Sequence, residues 1–474
     1  MIDTAAIRNK LIHLAVSGNL VEHDIEDGNA SELVEKLSYE INGSSRREIA
    51  IDEIPYEIPD NWTWCRLSDI GSTNIGLTYH PEDVDIDGTP VLRSNNIKNN
   101  KLIFEDLIKV NCEIREKQYI SKNDILICAR NGSKALVGKC AIYNGELGLT
   151  SFGAFMAVYR TLCFEYVYYY FQTKVFRRYF ENENNKQINQ VTQSILKDAI
   201  IPLPPINEQK RIIDKISKAF EQLDIIDDLQ LQYASDLEVL KSKIIDAGIQ
   251  GKLTEQLPED GTAEELLKQI EIQKNTILKN RKGRVDKKIK DIDGDFPYEI
   301  PNHWKWIRFG NIGLFKKGPF GSALTKSMFV PKGENTVKVY EQQHAINKDN
   351  TLGTYYITRE YFDDSMSGFE VLPGDIIVSC AGTIGETYIM PDDIEQGIIN
   401  QALMRVTLAE GVNREFFQYY FDANLKKSAQ NESNGCAIKN IPPFDVMKNW
   451  YFPIPPLEEQ ERIVEKIKKV LDAI

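Results

Sequence analysis

The 474-residue sequence is poor in cysteine and histidine and has no long apolar run. Its seven cysteines (65, 112, 128, 140, 163, 380 and 436) include no Cys-x-x-Cys pair. That excludes a disulfide framework or a thiolate zinc site and suits reduced thiols in the cytosol. The five histidines are scattered, and none sits in a His-Glu-x-x-His pattern. With no run of 18 apolar residues, no membrane span is expected. The opening residues Met1-Ile2-Asp3-Thr4 are not a secretory leader. A phosphate-binding Gly-x-x-x-x-Gly-Lys-Ser/Thr loop is also missing. Gly318, Gly321, Lys326 and Ser327 are the right residue types at the wrong spacing.

What the sequence does have is a long uninterrupted helical pattern. Behind the proline stop Pro202-Leu203-Pro204-Pro205, apolar residues recur every three or four positions: Ile212, Ile216, Phe220, Leu223, Ile226, Leu229, Tyr233, Leu237, Leu240 and Ile244. This spacing predicts one helix with a single apolar stripe, ended by Gly248 and Gly251. Forty-odd residues make a rod of about 60 Å. Such a stripe calls for a second helix, in this chain or in another subunit.

The chain also repeats itself. Residues 54–71 match 296–313 at 10 of 18 positions. Residues 202–216 match 453–467 at nine of 15, and residues 240–270 match 7–37 at 11 of 31. In the middle of the chain the second motif runs straight into the third, whereas at the two ends the same unit is cut inside its helix. The expected architecture is therefore α+β: two pseudo-symmetric mixed α/β domains separated by long antiparallel coiled-coil-like spacer helices, circularly closed by the two termini. The predicted map is a split helical region at 1–50 and 456–474, mixed domains at 51–205 and 291–455, and a central spacer and linker at 206–290.

Net charge is −13, which by itself argues against nucleic acid. Its distribution reverses that reading. Residues 62–200 sum to +2 and residues 304–450 to −2, so the acidity lies in the helices and linkers. An acidic rod is suited to protein, whereas near-neutral domains can still present a basic face. The stretch 280–288 is basic and reads as a solvated tether.

Each mixed domain carries an Asp-Ile-Leu/Ile-Ile/Val strand at Asp124 and Asp375, followed by a glycine-bearing turn. A helix expected over 165–180 closes the first domain, and one over 414–421 closes the second. Catalytic signatures are few. Ile441-Pro442-Pro443-Phe444 resembles the Asn/Asp-Pro-Pro-Phe/Tyr motif of amino-methyltransferases, but Ile441 replaces the polar residue and no glycine-rich cofactor strand accompanies it, so it reads as a turn. What remains is binding chemistry. Thr78, Tyr79, Arg93, Asn95, Asn96, Arg130, Asn131 and Lys134 cluster in the first domain. Lys316, Lys317, Phe320, Ser322, Gln342, Gln343, His344, Asn400 and Gln401 do so in the second. Arginine and lysine match guanine edges, and asparagine and glutamine match adenine edges, through paired hydrogen bonds.

Taken together, the layout resembles the DNA-specificity subunit of type I restriction-modification enzymes. The resemblance rests on Trp62, Trp64 and Leu67, and on Trp304, Trp306 and Phe309, at the domain starts. It rests also on the Asp124 and Asp375 strands, on Pro204-Pro205 through Ile212, and on Pro455-Pro456 through Ile463. The strings at 318–322 and 379–385 look typical of target-recognition domains. Asn123 stands where the second copy has Gly374, which puts the turn geometry at that point in question. The resemblance implies a cytoplasmic, non-catalytic chain whose two domains each read half of a bipartite site in double-stranded DNA. Its helices dock two methyltransferase (modification) subunits, and two translocase/nuclease (restriction) subunits join for cleavage. S-adenosylmethionine, ATP and magnesium belong to those partners. The rival readings are a protein-interaction scaffold with no DNA role and a degenerate single-chain methyltransferase or nuclease.

Overall fold

A computed structural model describes residues 1–181, 190–281, 289–432 and 441–474. The basic stretch 282–288 and Cys436 lie outside the described residues. The chain divides into two compact units, 1–232 and 233–474. No helix among the described residues is long and apolar enough to cross a membrane.

The first unit opens with helices α1 (Thr4–Val16) and α2 (Ala30–Asn42). Eleven short strands follow: β1 (Thr63–Arg66), β2 (Gly71–Ile75), β3 (Val84–Leu92), β4 (Ile97–Lys98), β5 (Lys101–Leu102), β6 (Ile108–Val110), β7 (Tyr119–Ile120), β8 (Ile125–Cys128), β9 (Cys140–Ile142), β10 (Thr150–Phe152) and β11 (Met156–Thr161). After them come α3 (Phe164–Phe171), β12 (Ile200–Leu203) and the long α4 (Ile206–Ile249). The second unit begins within α4 and continues with α5 (Ala263–Asn280). Its strands are β13 (Lys305–Arg308), β14 (Gly313–Lys317), β15 (Thr336–Tyr340), β16 (Tyr356–Thr358), β17 (Glu370–Val371), β18 (Ile376–Ser379), β19 (Thr387–Ile389), β20 (Gly397–Ile399), β21 (Leu403–Leu408) and β22 (Tyr451–Ile454). Helix α6 (Arg414–Glu432) precedes β22, and α7 (Leu457–Leu471) ends the chain.

The two four-stranded sheets of each unit match strand for strand, and the β4-β5 hairpin is found in the first unit alone among the described residues. The orders β2-β11-β8-β9 and β6-β3-β10-β7 recur as β14-β21-β18-β19 and β16-β15-β20-β17. In each second sheet one parallel pair, β3/β10 or β15/β20, sits among antiparallel neighbours. A two-stranded ladder pairs β1 with β12 and β13 with β22, so the chain enters and leaves each domain side by side.

Within each unit the three sequence repeats meet at one junction. Glu208 and Glu459 lie in the first turns of α4 and α7, where the positive helix end favours a carboxylate. Both are fully buried. Glu208 accepts from the Trp62 indole at 2.9 Å and from Asn61 at 3.1 Å, and it pairs with His23 Nδ1 at 2.7 Å. Glu459 accepts from the Trp304 indole at 2.8 Å and pairs with His303 Nε2 at 2.8 Å. The imidazole arrives from different points of the repeat, yet each junction has one. Next to it, Gln209 and Gln460 donate to the carbonyls of Pro204 and Pro455. Arg211 holds Asp27 at 2.5 Å, and Arg462 holds Asp260. The Glu-Asp-Gly string and the Glu-Gln-x-Arg string are therefore two sides of one contact.

These arginines hold the Asp27 and Asp260 pKa values below the ordinary carboxylate value, chiefly through the hydrogen bond each donates. A folded-state pKa below the unfolded one means that the stabilisation is complete above about pH 4 and fades as pH falls through the lowered value. Urea midpoints measured between pH 5 and pH 3 should therefore fall less steeply for Arg211→Met than for the native protein. Equal slopes would show that this pair does not contribute.

Each terminal helix packs on the part of α4 in its own unit. Along α1, Ile2 N donates to Gln230, Arg8 pairs with Asp224 and Asp227, and Lys215 reaches the Leu20 carbonyl, so α1 runs antiparallel to α4. In the second unit Gly248 faces Ile467 of α7, and a Cβ there would lie 2.7 Å from the Ile467 Cδ1. Gly248 is thus a close-packing position inside the helix rather than a stop. Gly251, with φ +70, is where the left-handed turn follows. The apolar stripe is covered at Ile212, Ile216 and Leu223 and again at Ile249, but Leu229, Tyr233 and Leu240 are exposed.

Several boundaries differ from expectation. The helix expected over 165–180 is broken into α3 and a short turn of helix, Lys174–Arg177, capped by Thr173. Helix α6 runs longer than the 414–421 expected. The aromatic density of α3 serves the core: Tyr166 and Tyr170 donate to the carbonyls of Pro202 and Ile200 on β12. Tyr420 of α6 makes the equivalent bond to the Tyr451 carbonyl. Asn123 adopts φ +72 and Gly374 φ +79, so the turn is the same in both copies. Asparagine tolerates that conformation better than most residues with a side chain.

Candidate nucleic-acid interface

In both units four chain segments converge where strands of the two sheets end together. In the first they are the segment after β2, the segment after β3, the turn after β8, and the β10–β11 loop. Thr78, Tyr79, Arg93 and Asn95 line one cavity of about 570 Å³ with Gly153 and Phe155. Asn131 donates to Ser94 Oγ at 3.1 Å, which ties the β8 turn to the same rim. Arg130 donates its backbone N–H to the Phe155 carbonyl at 3.0 Å, and its guanidinium lies 5.8 Å from that ring's centre. Lys134 is exposed further along the turn.

The second unit repeats several backbone bonds of this framework. Gly153 N donates to the Leu92 carbonyl, as Asn400 N does to that of Tyr340. Ala129 N donates to the Phe155 carbonyl, and Cys380 N to that of Ala402. Val191 N and Ile441 N close the same edge on Ala129 and Cys380, so the Ile441-Pro442-Pro443 segment is a structural edge. Gly76 and Gly318 each follow the first strand of their sheet. A Cβ on Gly76 would sit 2.2 Å from the Gly153 carbonyl oxygen, and one on Gly318 would sit 1.8 Å from that of Asn400. Only glycine allows these two loops to touch.

On this common framework the exposed chemistry differs. The end of β14 presents Lys316 and Lys317, and the loop after it Phe320 and Ser322, all exposed. The Lys316 ammonium lies 4.7 Å from the Phe369 ring centre. Gln343 and Gln401 are exposed, whereas Gln342 donates to the Ala381 carbonyl. Two of the residues singled out in the sequence face inward. Asn96 is buried, accepting from Arg93 N and donating to the carbonyls of Ile103 and Glu105. His344 is buried in the corresponding place, accepting from Glu341 N and reaching the Leu352 carbonyl at 2.7 Å. Both hold their loops in shape and are not placed to touch a base edge. Asn400 accepts from Ala402 N and stiffens its own loop. Phe155, not singled out in the sequence, lies on the rim of the first unit. The strand begins one residue later, at Met156, which leaves Phe155 on the rim.

Asp124 and Asp375 are buried supports beneath these sheets. Asp124 pairs with Arg160 of its own sheet at 2.6 Å. Asp375 takes Arg281, just past α5, at 2.8 Å and the Thr407 hydroxyl. Among the described residues no group of histidine, cysteine and acidic side chains could hold a metal ion.

The model of the type I restriction modification DNA specificity domain matches residues 59–232 and 330–474, more than half of the chain. This protein belongs to that family. It is 24% identical to the type I restriction enzyme EcoAI specificity subunit of Escherichia coli, over 98% of this chain and 88% of that one. It is 25% identical to the putative MjaX specificity subunit of Methanocaldococcus jannaschii, over 88% of each. Among solved structures, a chain from a type I R-M system studied for complex assembly and conformational transition has the same fold. Its TM-score is 0.60 at 16% identity, covering 88% of this chain and 92% of that one. The specificity family thus accounts for the full alternation of helices and duplicated domains.

Proposed function

We propose that this chain is the non-catalytic DNA-specificity subunit of a type I restriction-modification complex, and that each domain reads one half of a bipartite site in double-stranded DNA. The observation that carries this reading is the pair of strand-end rims: one hydrogen-bonded framework, duplicated, with different exposed side chains. A kept frame with different exposed side chains is the pattern expected of two domains that read different sequences. Thr78, Tyr79, Arg93, Asn95, Arg130, Asn131 and Lys134 serve the first half-site. Lys316, Lys317, Phe320, Ser322, Gln342, Gln343, Asn400 and Gln401 serve the second. Arginine, lysine and the amides read base edges or hold phosphates there.

The exposed apolar residues of α4 support docking of protein on the helices. In this reading two methyltransferase subunits bind there, translocase/nuclease subunits join for cleavage, and S-adenosylmethionine, ATP and magnesium stay with those cytoplasmic partners. Long-read methylation sequencing of cells carrying the neighbouring methyltransferase, with and without this gene, tests the proposal. The expected result is a split motif that vanishes with the gene. No gene-dependent methylation beside an intact methyltransferase, and no salt-sensitive DNA binding by the assembled complex, would favour the scaffold reading.

A further inference from the structure

Three phenylalanines are largely exposed among the described residues: Phe155, Phe296 and Phe320. Phe296 is explained by packing, since it stacks on Trp306 at 5.6 Å and meets Tyr451 edge-on. The other two stand on the two strand-end rims, one on each. Phe155 is 63% exposed and Phe320 is 89% exposed. They are not equivalent in sequence or position. Phe155 lies in the β10–β11 loop, where the second unit has Ala402, and Phe320 lies after β14, where the first unit has Thr78. The first rim thus holds an exposed phenyl ring beside the Arg130 guanidinium, and the second holds one in the loop that follows the exposed Lys316 and Lys317.

A phenyl ring offers no hydrogen-bond donor or acceptor to match a base edge. Of the groups a base pair presents in the major groove, only the thymine 5-methyl is apolar and complements it. The surrounding arginine, lysine and amide groups fit the polar edges beside such a methyl. Resting on the DNA reading above, we infer that Phe155 and Phe320 are specificity-determining residues, each contacting a thymine 5-methyl in its own half-site. Exposure explains why neither ring is needed for folding, and the glycine-tight loop contacts explain how each is held in place.

The test uses the chain assembled with its methyltransferase subunits and duplexes carrying the methylated motif, with thymines replaced one at a time by uracil. That replacement removes only the methyl group. For the native complex, one thymine-to-uracil change in the first half-site should weaken binding about fourfold, the effect of one buried methyl. Phe155→Ala should lose a similar factor on the thymine duplex and bind the two duplexes equally. Phe155→Leu should keep part of the discrimination, and its unchanged melting temperature shows that the loop is intact. Phe320→Ala should behave likewise in the second half-site only. A half-site without thymine, or a thymine-to-uracil ratio that Phe155→Ala leaves unchanged, overturns the inference. A ring wedged between bases, indifferent to the methyl, gives a ratio of one in the native complex and overturns it too. Failure of the underlying DNA reading shows earlier and separately, as the absence of any split motif with the native gene.

Discussion

Glu208→Leu lowers the stability of the first unit by about 3–5 kcal/mol, the usual cost of removing one partner from a buried charged network. The substitution leaves the buried Trp62 indole N–H without its acceptor, and it strips His23 and Asn61 of theirs. For a domain of this size the expected fall in melting temperature is on the order of 10 °C. Glu208→Gln keeps one carbonyl oxygen for the indole and should lose markedly less. Trp62→Phe, combined with each, separates the indole bond from the rest of the network, because contacting residues show their coupling in a double-mutant cycle. The readout is thermal and urea unfolding of the native protein, the three single variants and the two double variants. If the leucine and glutamine variants are equally stable, the junction is not a hydrogen-bonded lock and the account given of the repeats fails.

Replacing the whole segment between β1 and β12 with that of another family member changes one half of the methylated motif and leaves the other half as it was. The effect is complete, not graded, because every rim residue of the first unit is exchanged together. The reason for expecting a folded product is geometric. Thr63 pairs with Leu203 and Arg66 with Ile200, so both splice points lie in one two-stranded ladder and the graft needs to match at only one place. The indole–carboxylate lock and the Asp27–Arg211 pair lie outside the exchanged segment and stay intact. Methylation sequencing of cells carrying the chimera reads the outcome directly. A change in both halves, or in neither with the complex assembled, would show that the domains do not read independently.

The two predictions address different parts of one design. The first concerns residues that recur between the copies, which lie at the junction and carry no sequence information. The second concerns residues that differ, which lie on the rims. Divergence on the rims leaves the junction free to keep the Trp–Glu and Asp–Arg contacts in both units. The inward-facing Asn96 and His344 fit this division, since they do the same backbone-capping work with different side chains.

The sequence by itself determined the duplication, the long central helix and the mixed character of the two domains. Those features rest on identity between distant segments and on the three-to-four-residue period of an apolar stripe, which are local properties of a chain. It also singled out Arg130, Gln343 and Lys316 from their residue types beside readable strands, which are local features of the chain. Only the tertiary structure decided why the repeats recur. Glu208 meets Trp62 across 146 positions and Arg462 meets Asp260 across 202, and no local pattern encodes such pairings. It alone turned Asn96 and His344 inward and Phe155 outward, since a residue's direction depends on where its strand begins and what lies beneath it. It also showed Gly248 to be a packing position, because a glycine inside a helix and one at its end look alike until the facing helix is known.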